Sequence, residues 1–247
     1  MNSGAYLASG EYICFLDDDD IWSDCEHLRR AYDTLTQAAP RADVLYCNQT
    51  AFNSDGEQIE SKLWIADLEA RLDKSMKVSE GAFRVSAEFL LSSSGFAHLN
   101  CTIIRRSLYL DIKGMDENIR YECDRDIYLR TLDAAQIIFY SPIHIARHNV
   151  PDQKKKDNMS TLLNDMEKRL YQINVLEKAV LLAQRKSIRA YATNALADIY
   201  RHLSVNLMAT GRTRAASKHA RQALALRYTL KWHAYTWYLC ARGIFSS

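Results

Sequence analysis

Four consecutive aspartates, Asp17-Asp18-Asp19-Asp20, are the most chemically loaded stretch of this 247-residue sequence. They follow Tyr12-Ile13-Cys14-Phe15-Leu16, a run of β-branched and aromatic residues that predicts a buried strand. Like charges packed so closely repel and raise one another's pKa values. A divalent cation relieves that repulsion, because Mg²⁺ and Mn²⁺ take hard oxygen ligands and commonly share them with substrate phosphates. The position fits as well, since ligands of open α/β sheets bind outside the carboxyl ends of the strands. The alternative is a solvated acidic turn that caps the next helix, a task open to Asp20 or Asp24.

The elements that must hold this run can be read on either side of it. Ser23-Asp24-Cys25-Glu26 has the pattern of a capping box. It opens a helix expected to bury Leu28, Ala31, Tyr32 and Leu35 and to stop at Pro40. Residues 43–52 predict a second strand, and strand–helix–strand order implies an α/β domain with a largely parallel sheet. Signals are weak over residues 53–80, apart from a turn at Asn53-Ser54-Asp55-Gly56. Further on come a strand at 100–104, a short helix at 107–112 and a turn at Gly114-Met115-Asp116-Glu117. A helix at 124–135 places Ile127, Tyr128, Leu132 and Ala135 at helical spacing. Residues 137–145 predict a last strand, and Pro142 within it favours an edge position.

After His148 the composition changes. Residues 152–157, which include Lys154-Lys155-Lys156, read as a polar linker or loop, and everything from Ser160 is helical in pattern. Leu163, Met166, Leu170 and Ile173 form a heptad-like stripe. Leu203, Leu207, Gly211, Ala216, Ala220 and Ala223 fall at tetratricopeptide-like spacing, without a second copy. The expected organisation is an α/β domain over 1–150 and a helical extension over 151–247, which covers the sheet domain or recruits a partner.

Two blocks of residues carry a family resemblance. The first is Asn2-Ser3-Gly4-Ala5, then Gly10-Glu11-Tyr12-Ile13, then Phe15-Leu16-Asp17-Asp18-Asp19-Asp20-Ile21-Trp22. The second is Gly114-Met115-Asp116-Glu117, then Tyr121-Glu122-Cys123-Asp124-Arg125-Asp126, then Leu129-Arg130. Together they resemble the family 2 glycosyltransferases of GT-A fold, over roughly residues 1 to 150. The resemblance implies a Rossmann-like, mostly parallel sheet and metal-dependent, inverting transfer of a sugar from a nucleotide-sugar to an acceptor hydroxyl. It implies that Asp17, Asp19 and His148 hold Mg²⁺ or Mn²⁺, that Asp17, Asp18 and Trp22 meet the donor, and that Asp124 is the general base. Trp22 has the alternative of core packing, and Asp124 that of a helix N-cap. Cys123 stands where the family has a Glu, with Glu122 beside it.

Family members begin with strand–helix units that bind the nucleoside, whereas this chain opens at the Asn-x-Gly. The expectation is therefore a GT-A domain lacking its first strands, either a fragment of an active enzyme or a non-catalytic remnant that works through its helices as an interaction protein. The acceptor class is a glycan, a lipid-linked molecule or a protein. Lys plus Arg total 32 against 30 for Asp plus Glu, a net +2, so the chain as a whole lacks the charge footprint of a nucleic-acid binder. Six scattered cysteines lack zinc or redox spacing and read as reduced, mostly buried thiols. The amino end has no signal-peptide pattern and no apolar run reaches a membrane span, which places the protein in the cytoplasm, free or peripheral at the inner membrane face.

Overall fold

Val44, Leu45, Tyr46 and Cys47 are all buried, yet along a strand they point alternately to two faces, so both faces of their sheet must be covered. The computed structural model shows how this is done, and it describes residues 1–37, 41–59, 63–152, 154–155 and 158–245. The chain divides into two compact units, Met1–Leu162 and Leu163–Ser247.

The first unit opens with α1 (Asn2–Leu7), β1 (Tyr12–Cys14), β2 (Ile21–Trp22), α2 (His27–Gln37) and β3 (Val44–Phe52). It continues through β4 (Lys77–Ser79), β5 (Ala82–Val85), α3 (Ala87–Leu91), β6 (Thr102–Arg105) and α4 (Arg106–Asp111). It closes with α5 (Cys123–Ala134), β7 (Ile138–Asn149) and α6 (Met159–Leu162). The sheet order is β1-β6-β3-β7-β5-β4, with β2 pairing β7 farther along. The α/β class is as expected. The sheet is mixed: β3 and β7 form a long parallel pair at its centre, and the flanking pairs are antiparallel. Leu45 and Cys47 pack with Ala31 and Leu35 of α2 on one face. On the other face Tyr46 meets Tyr128 of α5 edge-on, ring centroids 5.3 Å apart.

Several expectations are corrected. Pro142 lies in an interior strand, because β7 is bordered by β3 on one side and by β5 and β2 on the other. It is tolerated where β5 has ended at Tyr140 and β2 has not begun before Ala146. On the β3 side the register shifts around Asn48, whose Nδ2 donates to the Pro142 carbonyl at 3.2 Å. Strand β1 is not wholly buried, since Ile13 is covered while Cys14 and Leu16 are exposed. Of the four apolar residues expected to be buried in α2, Ala31 and Leu35 are, whereas Leu28 and Tyr32 are 52% and 67% exposed. Pro40 lies outside the described residues, as does part of the 152–157 stretch. Of the six cysteines, Cys47 and Cys101 alone are buried, and all six are free thiols.

The second unit comprises α7 (Asp165–Leu182), α8 (Lys186–Ala209), α9 (Thr213–Leu226) and α10 (Leu230–Phe245). The inner face of α7 is Val175 and Leu176, while Met166 and Leu170 of the heptad-like stripe are exposed. The α8–α9 hairpin has the expected inner face, with Leu203, Leu207, Ala216, Ala220 and Ala223 buried. Gly211 turns the chain at φ +77°, a backbone conformation that suits glycine. Among the described residues no helix is long and apolar enough to cross a membrane.

Candidate active site

The acidic run leaves β1 as a turn, closed by the Asp20 amide donating to the Asp17 carbonyl at 3.2 Å, and returns along β2 to the far end of β7. The turn gives the four carboxylates different surroundings. Asp18 and Asp19 are exposed, Asp17 is half-buried, and Asp20 is buried. Buried Asn100 fixes this division. Its Oδ1 accepts from the Asp17 amide at 2.8 Å, its Nδ2 donates to Asp20 Oδ2, and its carbonyl accepts from Trp22 Nε1 at 3.1 Å. Asp20 also receives the Asn149 amide at 2.9 Å and stands 2.7 Å from His148 Nδ1. Burial alone would raise the Asp20 pKa, but the His148 and Asn149 hydrogen bonds outweigh it and hold the carboxyl below its usual value. Asp17 lacks such support and is raised, by burial first, with Asp124, Asp20 and Asp19 adding to it against His98.

The second motif block reaches the same place. Asn2, from the first block, accepts from the Met115 amide at 2.9 Å and donates to the Met115 carbonyl at 2.8 Å, so it anchors the turn that leads toward α5. That turn needs Gly114, which has φ +60° and where a Cβ would collide with Asn2 and Tyr109. Glu122, in the left-handed region at φ 67°, is the N-cap of α5, and Asp124 sits inside the first turn of the helix. One Asp124 oxygen lies 3.4 Å from His98 Nε2. Burial raises Asp124 to about 6, against hydrogen bonds from the Leu99 amide and the Cys123 thiol.

His98 and His148 close the gap between the two acids. Their ring centroids are 4.8 Å apart, and Trp64 stands edge-on to both. Trp64 holds the strained φ of 53°, and its carbonyl passes so near Gly95 that any Cβ there would collide with it. His98 is pushed down to about 4 by burial and then by His148, so its imidazole is neutral at pH 7. One ligand atom from each of Asp20, His98 and His148 lies within 4.8 Å of the others. A carboxylate and two imidazoles suit a divalent transition ion such as Mn²⁺ better than Mg²⁺, which favours oxygen alone.

The fold thus brings Asp17, His148 and Asp124 into one site, and leaves Asp18 and Asp19 exposed on the turn between Asp17 and Asp20. Trp22 packs against the core and supports Asn100. Sequence reading missed His98, Asn100 and Trp64. The last falls in the weak stretch 53–80, and Asn100 was legible only as the start of a strand.

Residues 1–112 match the family model described as glycosyl transferase family 2. Over these residues, a little under half of the chain, the likeness is to family 2 glycosyltransferases. The matched residues include the acidic run and His98 and end before Asp124 and His148. Among curated proteins the chain is similar to the succinoglycan biosynthesis protein ExoW of Rhizobium meliloti (strain 1021), 27% identical over 127 residues. That match covers 47% of this chain and 37% of ExoW. Among solved structures it is similar to S. aureus TarS 1-349 in complex with UDP-GlcNAc, with TM-score 0.57, 16% identity, and coverage of 90% of this chain and 60% of that one. The UDP complex of the same protein gives TM-score 0.54 and 17% identity, covering 97% of this chain and 65% of that one. The chain therefore spans well under two thirds of ExoW, and about that share of TarS 1-349. At these identities the structural likeness concerns the fold.

Proposed function

We propose that the protein transfers a sugar from a nucleotide-sugar to an acceptor hydroxyl with inversion at the anomeric carbon. The observation that carries this reading is the unbroken sequence of contacts from Asp20 through His148 and His98 to Asp124, which joins the two motif blocks in one site. In a single displacement the acceptor oxygen bonds to the anomeric carbon as the bond to the diphosphate breaks, and the acceptor's proton passes to a carboxylate. Asp124 is that base: raised to about 6, it is mostly ionised at pH 7 yet basic enough to take the proton. His98 positions it.

Asp17, Asp18 and Asp19 face the donor side of the site. His148 holds a divalent ion, with Asp17 and Asp19 in the register that the family resemblance implies, or with Asp20 and His98, as their ligand atoms favour. When bound, the ion would stabilise charge on the departing diphosphate. The UDP and UDP-GlcNAc complexes of TarS support a uridine nucleotide as donor, and ExoW supports a polysaccharide product. The acceptor is a glycan, a lipid-linked molecule or a protein on the cytoplasmic side.

Calorimetric titration with UDP tests the reading. Binding is expected with Mn²⁺ and not with chelator, and Asp19→Ala should abolish it. If His98→Ala removes binding and Asp19→Ala does not, the ion belongs to the Asp20 and histidine set. Asp124→Asn should keep UDP affinity and lower transfer by roughly 10²–10⁴-fold. Unchanged turnover in Asp124→Asn would sink the assignment of the base.

A further inference from the structure

The net charge of +2 conceals a division between the two units. Residues 1–162 hold 18 Lys and Arg against 26 Asp and Glu, a net −8, whereas residues 163–247 hold 14 against 4, a net +10. No Asp or Glu follows Asp198 in the sequence, and Asp198 is itself engaged by Arg201 and Arg227. The excess of positive charge falls on the hairpin and on α10.

Helix α9 buries its small residues, Ala216, Ala220 and Ala223, and turns Arg214, Lys218 and Arg221 to solvent. Spacings of four and three put these three cations in one stripe along the helix. Helix α10 is anchored by buried Leu239 and by Trp232, whose Nε1 donates to the Ala220 carbonyl at 3.0 Å. Its opposite face is apolar and open. Leu230 is 78% exposed and Trp237 73%, with Tyr238 beside them. These positions, at i, i+7 and i+8, lie on one side of the helix, and exposed Lys231 and Arg242 border them.

A partner that met both the α9 stripe and the open α10 face would be anionic outside and apolar just beneath. A bilayer with anionic headgroups has both properties. Lys and Arg near such a surface are attracted by its potential, Trp and Tyr favour the headgroup level, and Leu favours the acyl boundary. A soluble polyanion would satisfy the stripe on α9 and leave Leu230 and Trp237 without a role. We propose that the helical unit docks on the surface of an anionic lipid bilayer, with the basic stripe of α9 on the headgroups and the Leu230–Trp237 face of α10 in the interface. Membrane docking and sugar transfer are separate properties, so either can fail alone.

Flotation of the full chain with vesicles tests this. Vesicles of phosphatidylcholine with about one third phosphatidylglycerol should carry the protein, pure phosphatidylcholine should not, and raised salt should weaken the binding. Replacing Arg214, Lys218 and Arg221 together by Gln should lower partitioning by on the order of 100-fold, for three cations at the surface. Trp237→Ala should weaken it independently, with the helical circular dichroism of both variants unchanged. Tryptophan emission should shift to the blue on vesicle addition in wild type and less in Trp237→Phe. Equal binding to neutral vesicles, full binding by the triple variant, or capture by nucleic acid with none by vesicles would overturn the proposal.

Discussion

In the sheet unit the residues that shape the site meet across long stretches of chain: Asp17 and Asn100 are 83 positions apart, and Asp20 and Asn149 are 129 apart. In the helical unit the packing is between neighbours. Ser204 Oγ donates to the Ala216 carbonyl 12 positions on, and Thr236 to that of Ala220 across 16. The first unit concentrates buried polar groups that depend on one another, and the second is built on small apolar contacts with few such groups. A polar network left half-satisfied in a low-dielectric interior costs more than a lost methyl. Single substitutions should therefore hurt the sheet unit far more than the helical one.

The sharpest way to break that contrast is Asp20→Ala, which strips an acceptor from His148, Asn100 and the Asn149 amide at once. The sheet unit should lose about 3 kcal/mol or more, because several donors lose their acceptor at about 1–3 kcal/mol each. Urea unfolding followed by circular dichroism should show the loss, and exposed Asp18→Ala should stay within about 0.5 kcal/mol of wild type. Equal losses at the two positions would remove the distinction drawn between them.

A second test uses protons. His27 is buried, its Nε2 has no hydrogen-bond partner among the described residues, and burial pushes it down to about 4 from 6.5. The unfolded chain then binds the extra proton between those values, so stability is full above pH 6.5 and declines as pH falls toward 4. His27→Gln should flatten the pH dependence by one proton over that window, read from urea midpoints. The smallest effect is expected in the helical unit, where Ser204→Ala should cost about 1 kcal/mol, the net worth of one hydrogen bond. A loss as large as that of Asp20→Ala would show that the helical unit also rests on a polar hub.

Much of this was written locally in the sequence. The helix carrying Ile127, Tyr128 and Leu132 and the strand ending at Phe52 follow from periodicity, and the four aspartates advertise themselves by charge alone. What could not be read is which of them turns inward, because Asn100, far along the chain, decides it. His98 was hidden for the same reason: a lone histidine after a weakly patterned stretch has no local signal. Pro142 misled because the rule that keeps proline at edges assumes uninterrupted neighbours, and here one neighbour ends before another begins. Leu28 and Tyr32 misled because helical spacing reports a possible face and not what covers it, and Met166 and Leu170 did so in α7.

The long reach from Asp20 to β7 also has a consequence during synthesis. The acidic turn leaves the ribosome well over a hundred residues ahead of His148 and Asn149, which hold its innermost member. Until then Asp20 lacks two of its partners, and the site stays incomplete. Folding dominated by such distant pairings is slow. A nascent chain paused anywhere before β7 would display its aspartates to solvent and leave β3 without its parallel neighbour, open to chaperones or to another chain.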